Sequence, residues 1–208
     1  MPDWLNGLIT AYPDLQPCAE SIEEAYGILH KQFEAGNKLL VCGNGGSAAD
    51  SEHIVGELMK SFVVDRPIPA QLRDRLALTP HGPYLSNHLQ RALPAISLVS
   101  QSALVTAFAN DVQPDLAFAQ QVYGYGKPGD VLLGLSTSGN SKNVVYALEL
   151  AKVLGMRTIG MTGSAGGAMA PFCDALIRVP YERTADVQER HLPIYHALCM
   201  TLERTFFG

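Results

Sequence analysis

Two side chains that can transfer protons or bind a metal lie four residues apart in the segment SAADSEHIVGELMKSF, which runs from Ser47 to Phe62. They are His53 and Glu57, and the apolar residues around them recur at helical spacing. Residues four apart project from one face of a helix, so an imidazole and a carboxylate would stand side by side. Such a pair can supply a base and a ligand to one site, although on an isolated helix it is more often a solvated pair.

A second pair of polar side chains, Gln188 and His196, occurs in the segment predicted as the last helix, Thr184 to Phe207. The two residues are eight positions apart, which is about two helical turns plus 80°. His196 has apolar neighbours, so the sequence alone also allows a histidine packed in the core. His191 points to another side of the helix than His196, and we expect it to have a structural or secondary role.

Two turns rich in glycine and hydroxyl side chains each follow an apolar run: CGNGGSAAD at residues 42–50 and LSTSGNSKN at residues 135–143. In a parallel sheet, ligands bind beyond the carboxyl ends of the strands, where helix N-termini attract anions. STSGNS has four hydroxyl groups and no lysine, which favours a phosphate held by neutral donors. The alternative is a pair of ordinary capped turns. A dinucleotide site fits poorly, because GNGGSA lacks the third glycine of GxGxxG.

Short apolar runs alternate with amphipathic helical segments along the chain. This alternation predicts a parallel α/β sheet with right-handed crossovers. Residues 65–94, rich in proline and arginine, break the pattern and are expected to form short surface helices. The predicted strands are KLLVCG, AISLV, DVLLGLS, RTIGMTG and DALIRVP, and the predicted helices are SIEEAYGILHKQFEAGN, 47–62, SKNVVYALELAKVLGM and 184–207.

Composition indicates a globular protein. The chain has 208 residues, of which 47% are hydrophobic and 17% charged. This length and this hydrophobic fraction are sufficient to form a buried core. A net charge of −5 argues against a general nucleic-acid binder. The apolar runs are too short to span a membrane. The segment from Met1 to Tyr12 has no basic residue, and the four cysteines show no CxxC spacing, so we expect a cytoplasmic protein with buried thiols.

The motifs together resemble the sugar isomerase (SIS) domain family, most closely its phosphoheptose isomerase branch. The stretches that carry the resemblance are CGNGGSAADSEHIVGEL, FAND, GDVLLGLSTSGNSKNVV, MTGSAGG and VQERHLPIYHALC. The resemblance implies a three-layer sandwich, flavodoxin-like, with a five-stranded parallel sheet flanked by helices. It also implies one SIS domain over residues 1–208, with an N-terminal helical segment at about 1–36 and an insertion at about 65–94.

The resemblance further implies an isomerase that converts sedoheptulose 7-phosphate to D-glycero-D-manno-heptose 7-phosphate through an enediol. Its catalytic residues would be Glu57 as the base and His196 as the acid partner. One Zn²⁺ per subunit would be bound by His53, Glu57, Gln188 and His196. The substrate-binding residues would be Asn44, Gly45, Gly46, Ser47, Glu57, Asn110, Asp111, Ser136, Thr137, Ser138, Ser141 and Gln188.

The branch also implies a homotetramer with sites near subunit interfaces, a phosphorylated sugar as ligand, and neither nucleic acid nor membrane as partner. Two positions depart from its pattern: Ser61 and Asp186 stand where the branch commonly has arginine. These departures leave other sugar phosphates open as substrates. A non-catalytic SIS protein that binds a sugar phosphate or a protein partner is the alternative function.

Overall fold

Five short strands form one parallel sheet with the order β2-β1-β3-β4-β5. The computed structural model describes residues 1–208. Every apolar run that predicted a strand forms one, so the predicted five-stranded parallel sheet is confirmed. The strands are β1 (Leu39–Cys42), β2 (Ala95–Ser97), β3 (Val131–Leu135), β4 (Arg157–Thr162) and β5 (Ala175–Arg178). The order makes the gap between β1 and β3 the switch point at which successive connections leave in opposite directions.

Nine α-helices surround the sheet. They are α1 (Asp3–Ala11), α2 (Ala19–Glu34), α3 (Gly46–Met59), α4 (Ala70–Leu76), α5 (Gly82–His88), α6 (Ser102–Asp111), α7 (Ala117–Tyr125), α8 (Lys142–Val153) and α9 (Thr184–Phe207). The last of these has the bounds that the sequence predicted. The sequence reading did not propose α6 or α7. No helix is long and apolar enough to cross a membrane.

The alternation of side chains along the strands divides the core into two layers, because successive residues of a strand point to opposite faces. In β1, Leu39 and Val41 join the larger cluster, which α1, α2, α3 and α9 cover. Leu40 and Cys42 join the smaller cluster on the other face, which α7 and α8 cover. Both faces are therefore buried, as continuous apolar strands require. The helices that carry the two candidate pairs, α3 and α9, lie on the same face.

Residues 65–94 form an appendage with a fixed base. Its helices α4 and α5 pack on each other and have almost no buried side chain. At the base, Pro67 and Gln90 form an antiparallel bridge, and the Arg91 N–H donates to the carbonyl of Arg66 at 2.8 Å. The predicted short surface helices are therefore present, and they leave the body of the protein immediately after α3.

Candidate active site

The two Gly/Ser turns meet at the switch point of the sheet. The first follows β1 and opens α3, and the second follows β3 and opens α8. Asn44 in the first turn and Asn143 in α8 form a reciprocal amide pair, with both N–H···O distances 2.9 Å. The two helix N-termini that face the carboxyl edge of the sheet are thereby held side by side, which suits them to bind one anionic ligand.

The second turn gathers hydroxyl groups around a tight backbone. The Ser136 and Ser141 Oγ atoms are 2.9 Å apart, and the Ser138 hydroxyl accepts a hydrogen bond from the Asn140 N–H at 3.2 Å. Gly139 has φ +69°, and a Cβ there would lie 2.1 Å from the carbonyl oxygen of Gly166. Only glycine fits this position, so the turn is fixed by the loop after β4. The Ser136, Thr137, Ser138 and Ser141 set predicted for phosphate therefore lies in one pre-formed turn.

Helices α3 and α9 run alongside each other and touch at successive levels. At the first level the Gln188 amide lies against Gly46, where an added Cβ would be 2.5 Å from Nε2. At the second level the Nε2 atoms of His53 and His196 are 3.5 Å apart. The predicted pairs therefore lie along the contact between α3 and α9, with Gln188 at the glycine turn and His196 about two turns further along.

The ring of His53 is oriented by Tyr195 and Asp50. His53 Nδ1 lies 3.1 Å from the Tyr195 hydroxyl, which lies 3.1 Å from Asp50 Oδ1. An ionised carboxylate only accepts hydrogen bonds, so Tyr195 gives its one proton to Asp50 and His53 Nδ1 donates to the hydroxyl oxygen. The other ring nitrogen, His53 Nε2, lies 3.3 Å from Glu57 Oε1. A cation or a proton between these two atoms would stabilise the pair.

Burial acts on the ionisation of this cluster. It lowers the pKa of His196, and the neighbouring His53 adds to that effect, while Glu57 opposes it. Burial also raises the pKa of Tyr195, with the Asp50 carboxylate acting in the same direction, so the phenol keeps its proton at neutral pH. Burial raises the pKa of Asp50, although the Tyr195 hydrogen bond offsets part of this. His196 is therefore a neutral imidazole near pH 7, suited to ligation or to proton transfer.

The second oxygen of Glu57 contacts a lysine. Lys60 Nζ lies 3.1 Å from Glu57 Oε2, whereas Ser61, at the position of the branch arginine, uses its N–H to bond the Gln90 side chain at 2.8 Å. The Glu57 side chain is 12% exposed and that of Lys60 is 59% exposed. Lys60, one position before Ser61, thus supplies a positive charge beside the Glu57 carboxylate.

The SIS domain family matches residues 15–91 and 85–163, and these two segments hold both Gly/Ser turns and the His53/Glu57 pair. The chain belongs to the SIS-domain family. Among curated relatives, the phosphoheptose isomerase of Akkermansia muciniphila is 37% identical over 202 residues, covering 97% of this chain and 94% of the relative. That of Synechocystis is 39% identical over 212 residues, covering 100% of this chain and 96% of the relative.

Solved structures of the same branch have the same fold as this SIS-domain chain. The phosphoheptose isomerase GmhA from Neisseria gonorrhoeae superposes with a TM-score of 0.75 at 32% identity, covering 96% of this chain and 94% of that one. The phosphoheptose isomerase from Francisella tularensis superposes with a TM-score of 0.77 at 30% identity, covering 97% of this chain and 95% of that one. The expected family, branch and three-layer fold are therefore confirmed.

The distances between the candidate metal ligands of this SIS-domain site can be compared with the geometry of tetrahedral Zn²⁺. Two ligands about 2.0–2.1 Å from a tetrahedral Zn²⁺ are about 3.3–3.4 Å apart. The distances from His53 Nε2 to Glu57 and to His196, 3.3 and 3.5 Å, are close to that separation. No three His, Cys, Asp or Glu side chains of the chain already form a metal cluster. The donor types and two of the spacings fit Zn²⁺.

Two predicted residues remain apart from this cluster. Asn110 and Asp111, at the end of α6, are exposed and bond only each other, at 2.8 Å. Their place in the substrate site stays a prediction. His191 is fully buried. Burial lowers its pKa to about 4, and an interaction with the Thr162 backbone offsets this only in part. His191 is a core residue, as its position on the helix indicated.

Three contributors to the site were not identified from sequence. Tyr195 and Asp50 orient His53, and Asn143 ties the two turns together. Asn143 stands inside the quoted turn motif, so its polarity was a signal for it. Tyr195 is next to His196 among apolar residues, which favours a buried core residue, and no local sequence pattern links it to Asp50.

Proposed function

We propose that this protein is an aldose–ketose isomerase of sugar phosphates and that its substrate is sedoheptulose 7-phosphate, converted to D-glycero-D-manno-heptose 7-phosphate. The observation that carries the proposal is the placement of Glu57 and His196 on two packed helices, both next to His53, with α3 starting at one of the two paired Gly/Ser turns. A carboxylate base and an imidazole beside an anion site are what this reaction needs. The names of the relatives agree with this chemistry.

The phosphate would bind at the N-terminus of α8, on Ser136, Thr137, Ser138 and Ser141. Hydroxyl and backbone N–H donors at a helix start stabilise a dianion. Asn44, Gly45, Gly46 and Ser47 would hold the sugar end of the ligand, since their turn is tied to the α8 turn through Asn143. Binding at these turns orients the carbonyl end of the sugar toward α3 and α9.

Glu57 would remove the proton from the carbon next to the ketose carbonyl, and the carbonyl oxygen would take up a proton from His196, which gives the enediol. Returning the proton to the former carbonyl carbon and releasing one from the neighbouring oxygen gives the aldose, so no atom is gained or lost. A neutral imidazole can donate such a hydrogen bond, as in other enediol-forming isomerases. The lowered pKa of His196 agrees with this role.

Zinc enters as part of the proposal. His53, Glu57, His196 and Gln188 would bind it, and it would supply polarisation of the substrate carbonyl. The hydrogen bonds from Asp50 through Tyr195 to His53 are typical of groups that orient a metal-binding imidazole. A carboxylate held tightly by a cation is a weaker base. Glu57 therefore has to be free of strong coordination at the moment it takes the proton.

We also propose a single SIS domain with an appendage at residues 65–94, a homotetramer and a cytoplasmic location. None of the ten residues of α6 is buried, although SALVTAFAND is largely apolar. A cavity of about 810 Å³ lies between α1 and α9 and is lined by Trp4, Leu8 and His196 among others. A second subunit covering these surfaces would place an interface next to the site. The four free cysteines suit a reducing compartment.

The test is a substrate panel followed by NMR. The purified protein is incubated with sedoheptulose 7-phosphate, fructose 6-phosphate and ribulose 5-phosphate, with and without Zn²⁺, and the aldose signals are recorded. We expect turnover of the heptulose to exceed that of the shorter sugars. Conversion of a shorter ketose alone would change the assigned substrate. Binding of all three sugars without any conversion would indicate a non-catalytic SIS protein.

A further inference from the structure

A fully buried ion pair lies along the contact between α3 and α9, beyond the His53–His196 contact. Arg66 Nε donates to Glu203 Oε1 at 2.7 Å, and both side chains have no exposed surface. Arg66 follows α3 and Glu203 belongs to α9, so the pair joins the two helices that carry the catalytic residues. It forms a third level of contact below the Gly46–Gln188 and His53–His196 levels.

Arg66 also closes the end of α3. The last carbonyl groups of a helix have no partner within the helix and need one from outside. Arg66 Nη2 donates to the carbonyl of Glu57 at 2.9 Å, and Nη1 donates to the carbonyl of Leu58 at 2.7 Å. One guanidinium therefore holds the backbone of the proposed base itself and of the residue after it.

Glu203 fixes the chain that leaves α3. Its two oxygens accept the N–H groups of Phe62 and Val63, each at 2.7 Å. Burial alone would raise the pKa of this carboxyl, but the two N–H groups and Arg66 outweigh burial and keep the pKa below its ordinary value. Glu203 is thus a charged acceptor for three donors that all belong to the segment after Glu57.

Buried ion pairs with every partner present contribute little net stability compared with apolar side chains, whereas they define one geometry sharply. Apart from each other and the Phe207 ring, Arg66 and Glu203 direct their side-chain contacts to the backbone of the segment from Glu57 to Val63. A role in placing the base therefore accounts for this network better than a general role in stability.

We propose that Arg66 and Glu203 are positioning residues that hold the Glu57 carboxylate at the reacting carbon by clamping the end of α3 to α9. This inference rests on the proposed isomerase activity. It predicts that loosening the clamp lowers kcat and leaves KM nearly unchanged, because the phosphate is bound by turns on another helix. A residue that served stability alone would not separate the two constants.

The chain offers a matched control for this test. Asp130, just before β3, is also a buried carboxylate that accepts two backbone N–H groups, from Lys38 at 3.0 Å and Lys127 at 2.8 Å. It also pairs with the ammonium group of Lys38. Asp130 lies at the amino end of the strands, the edge opposite the site. Glu203→Gln and Asp130→Asn therefore make the same chemical change in two places, and only Glu203 contacts Arg66 and the segment that follows α3.

Both variants are assayed with sedoheptulose 7-phosphate at a temperature at which circular dichroism shows them folded. We expect Glu203→Gln to lose at least tenfold in kcat with KM within threefold of the wild type, and Asp130→Asn to keep kcat within twofold. Amide hydrogen exchange at Phe62 and Val63 should accelerate only in Glu203→Gln. Equal losses of kcat in both variants, or a wild-type kcat in Glu203→Gln, would overturn the proposal.

If Glu203→Gln does not fold, Arg66→Lys replaces it, because a lysine keeps the charge beside Glu203 but cannot reach both α3 carbonyls. The same tenfold loss of kcat at nearly constant KM is expected, and an unchanged kcat would overturn the proposal. Wild-type turnover is measured first. A wild type that converts no sugar phosphate refutes the proposed function, whereas an active wild type with fully active variants refutes only the clamp.

Discussion

Replacing Glu57 by Gln removes the proposed base and leaves the shape of the side chain. Glu57 has two polar neighbours, His53 Nε2 at 3.3 Å and Lys60 Nζ at 3.1 Å. The carboxamide can still meet both, since its oxygen can accept from Lys60. The variant should therefore fold and bind the sugar phosphate, because the phosphate turns lie on β3 and α8, away from the substituted side chain.

The expected effects on stability and on rate differ widely in size. The contacts of Glu57 with a half-exposed histidine and an exposed lysine contribute about 0–1 kcal/mol to folding. In a domain of this size, such a loss shifts the Tm by no more than about 4 °C. A general base, by contrast, is worth about 10²–10⁴ in rate, or about 3–5 kcal/mol in the barrier. A fall in kcat of a hundredfold or more without unfolding is therefore expected.

The assay is hydrogen exchange in D₂O. The wild type should exchange the hydrogen on the carbon next to the substrate carbonyl, which ¹H NMR detects, and Glu57→Gln should not, while sugar phosphate still binds. Glu52→Gln is the matched control, since Glu52 is a carboxylate on the same helix whose Oε1 instead accepts from the Ser100 hydroxyl at 2.8 Å. Exchange at the wild-type rate in Glu57→Gln would refute Glu57 as the base and make His196 the candidate.

Three further changes test the remaining parts of the site. Replacing Ser138 and Ser141 together by Ala should raise KM at least tenfold, because each hydrogen bond lost to a charged group costs about 1.5–3 kcal/mol; an unchanged KM would place the phosphate elsewhere. Tyr195→Phe should weaken Zn²⁺ binding about 10–100-fold in a chelator-competition titration, because His53 loses its orienting partner; an unaltered affinity would contradict that role. Light scattering at micromolar concentration should give the mass of a tetramer, and a stable 22.4 kDa monomer would exclude it.

Much of the fold could be predicted from the sequence because its signals are local. Apolar runs such as KLLVCG and DVLLGLS became β1 and β3, and periodicity gave the closing helix its observed bounds, Thr184–Phe207. The spacing of His53 and Glu57 likewise predicted two side chains on one helical face, and they are 3.3 Å apart. Continuous apolar runs thus predict buried strands, and a spacing of four residues predicts which groups share a helix face.

The contacts that complete the site could not be predicted, because they join residues far apart in the chain. Asp50 and Tyr195 are 145 positions apart, and Arg66 and Glu203 are 137 apart. No local pattern indicates that Arg66, in a segment rich in proline and arginine, is fully buried. Charged residues are normally expected at the surface, so a buried ion pair is visible only once the packing of α3 against α9 is known.

The levels of contact between α3 and α9 explain why one segment carries both an anion-binding turn and a base. From Gly46 to His53 the helix rises about 10 Å, and from Gln188 to His196 it rises about 12 Å. Because the first residues of these two spans touch each other and the last ones do too, α3 and α9 stay in contact over about that length. A sugar phosphate anchored at the glycine turns would have to extend over a similar distance for its carbonyl to reach Glu57, which an open chain with its phosphate far from the carbonyl can do. The Arg66–Glu203 pair lies beyond the His53–His196 contact and holds the end of α3 against α9.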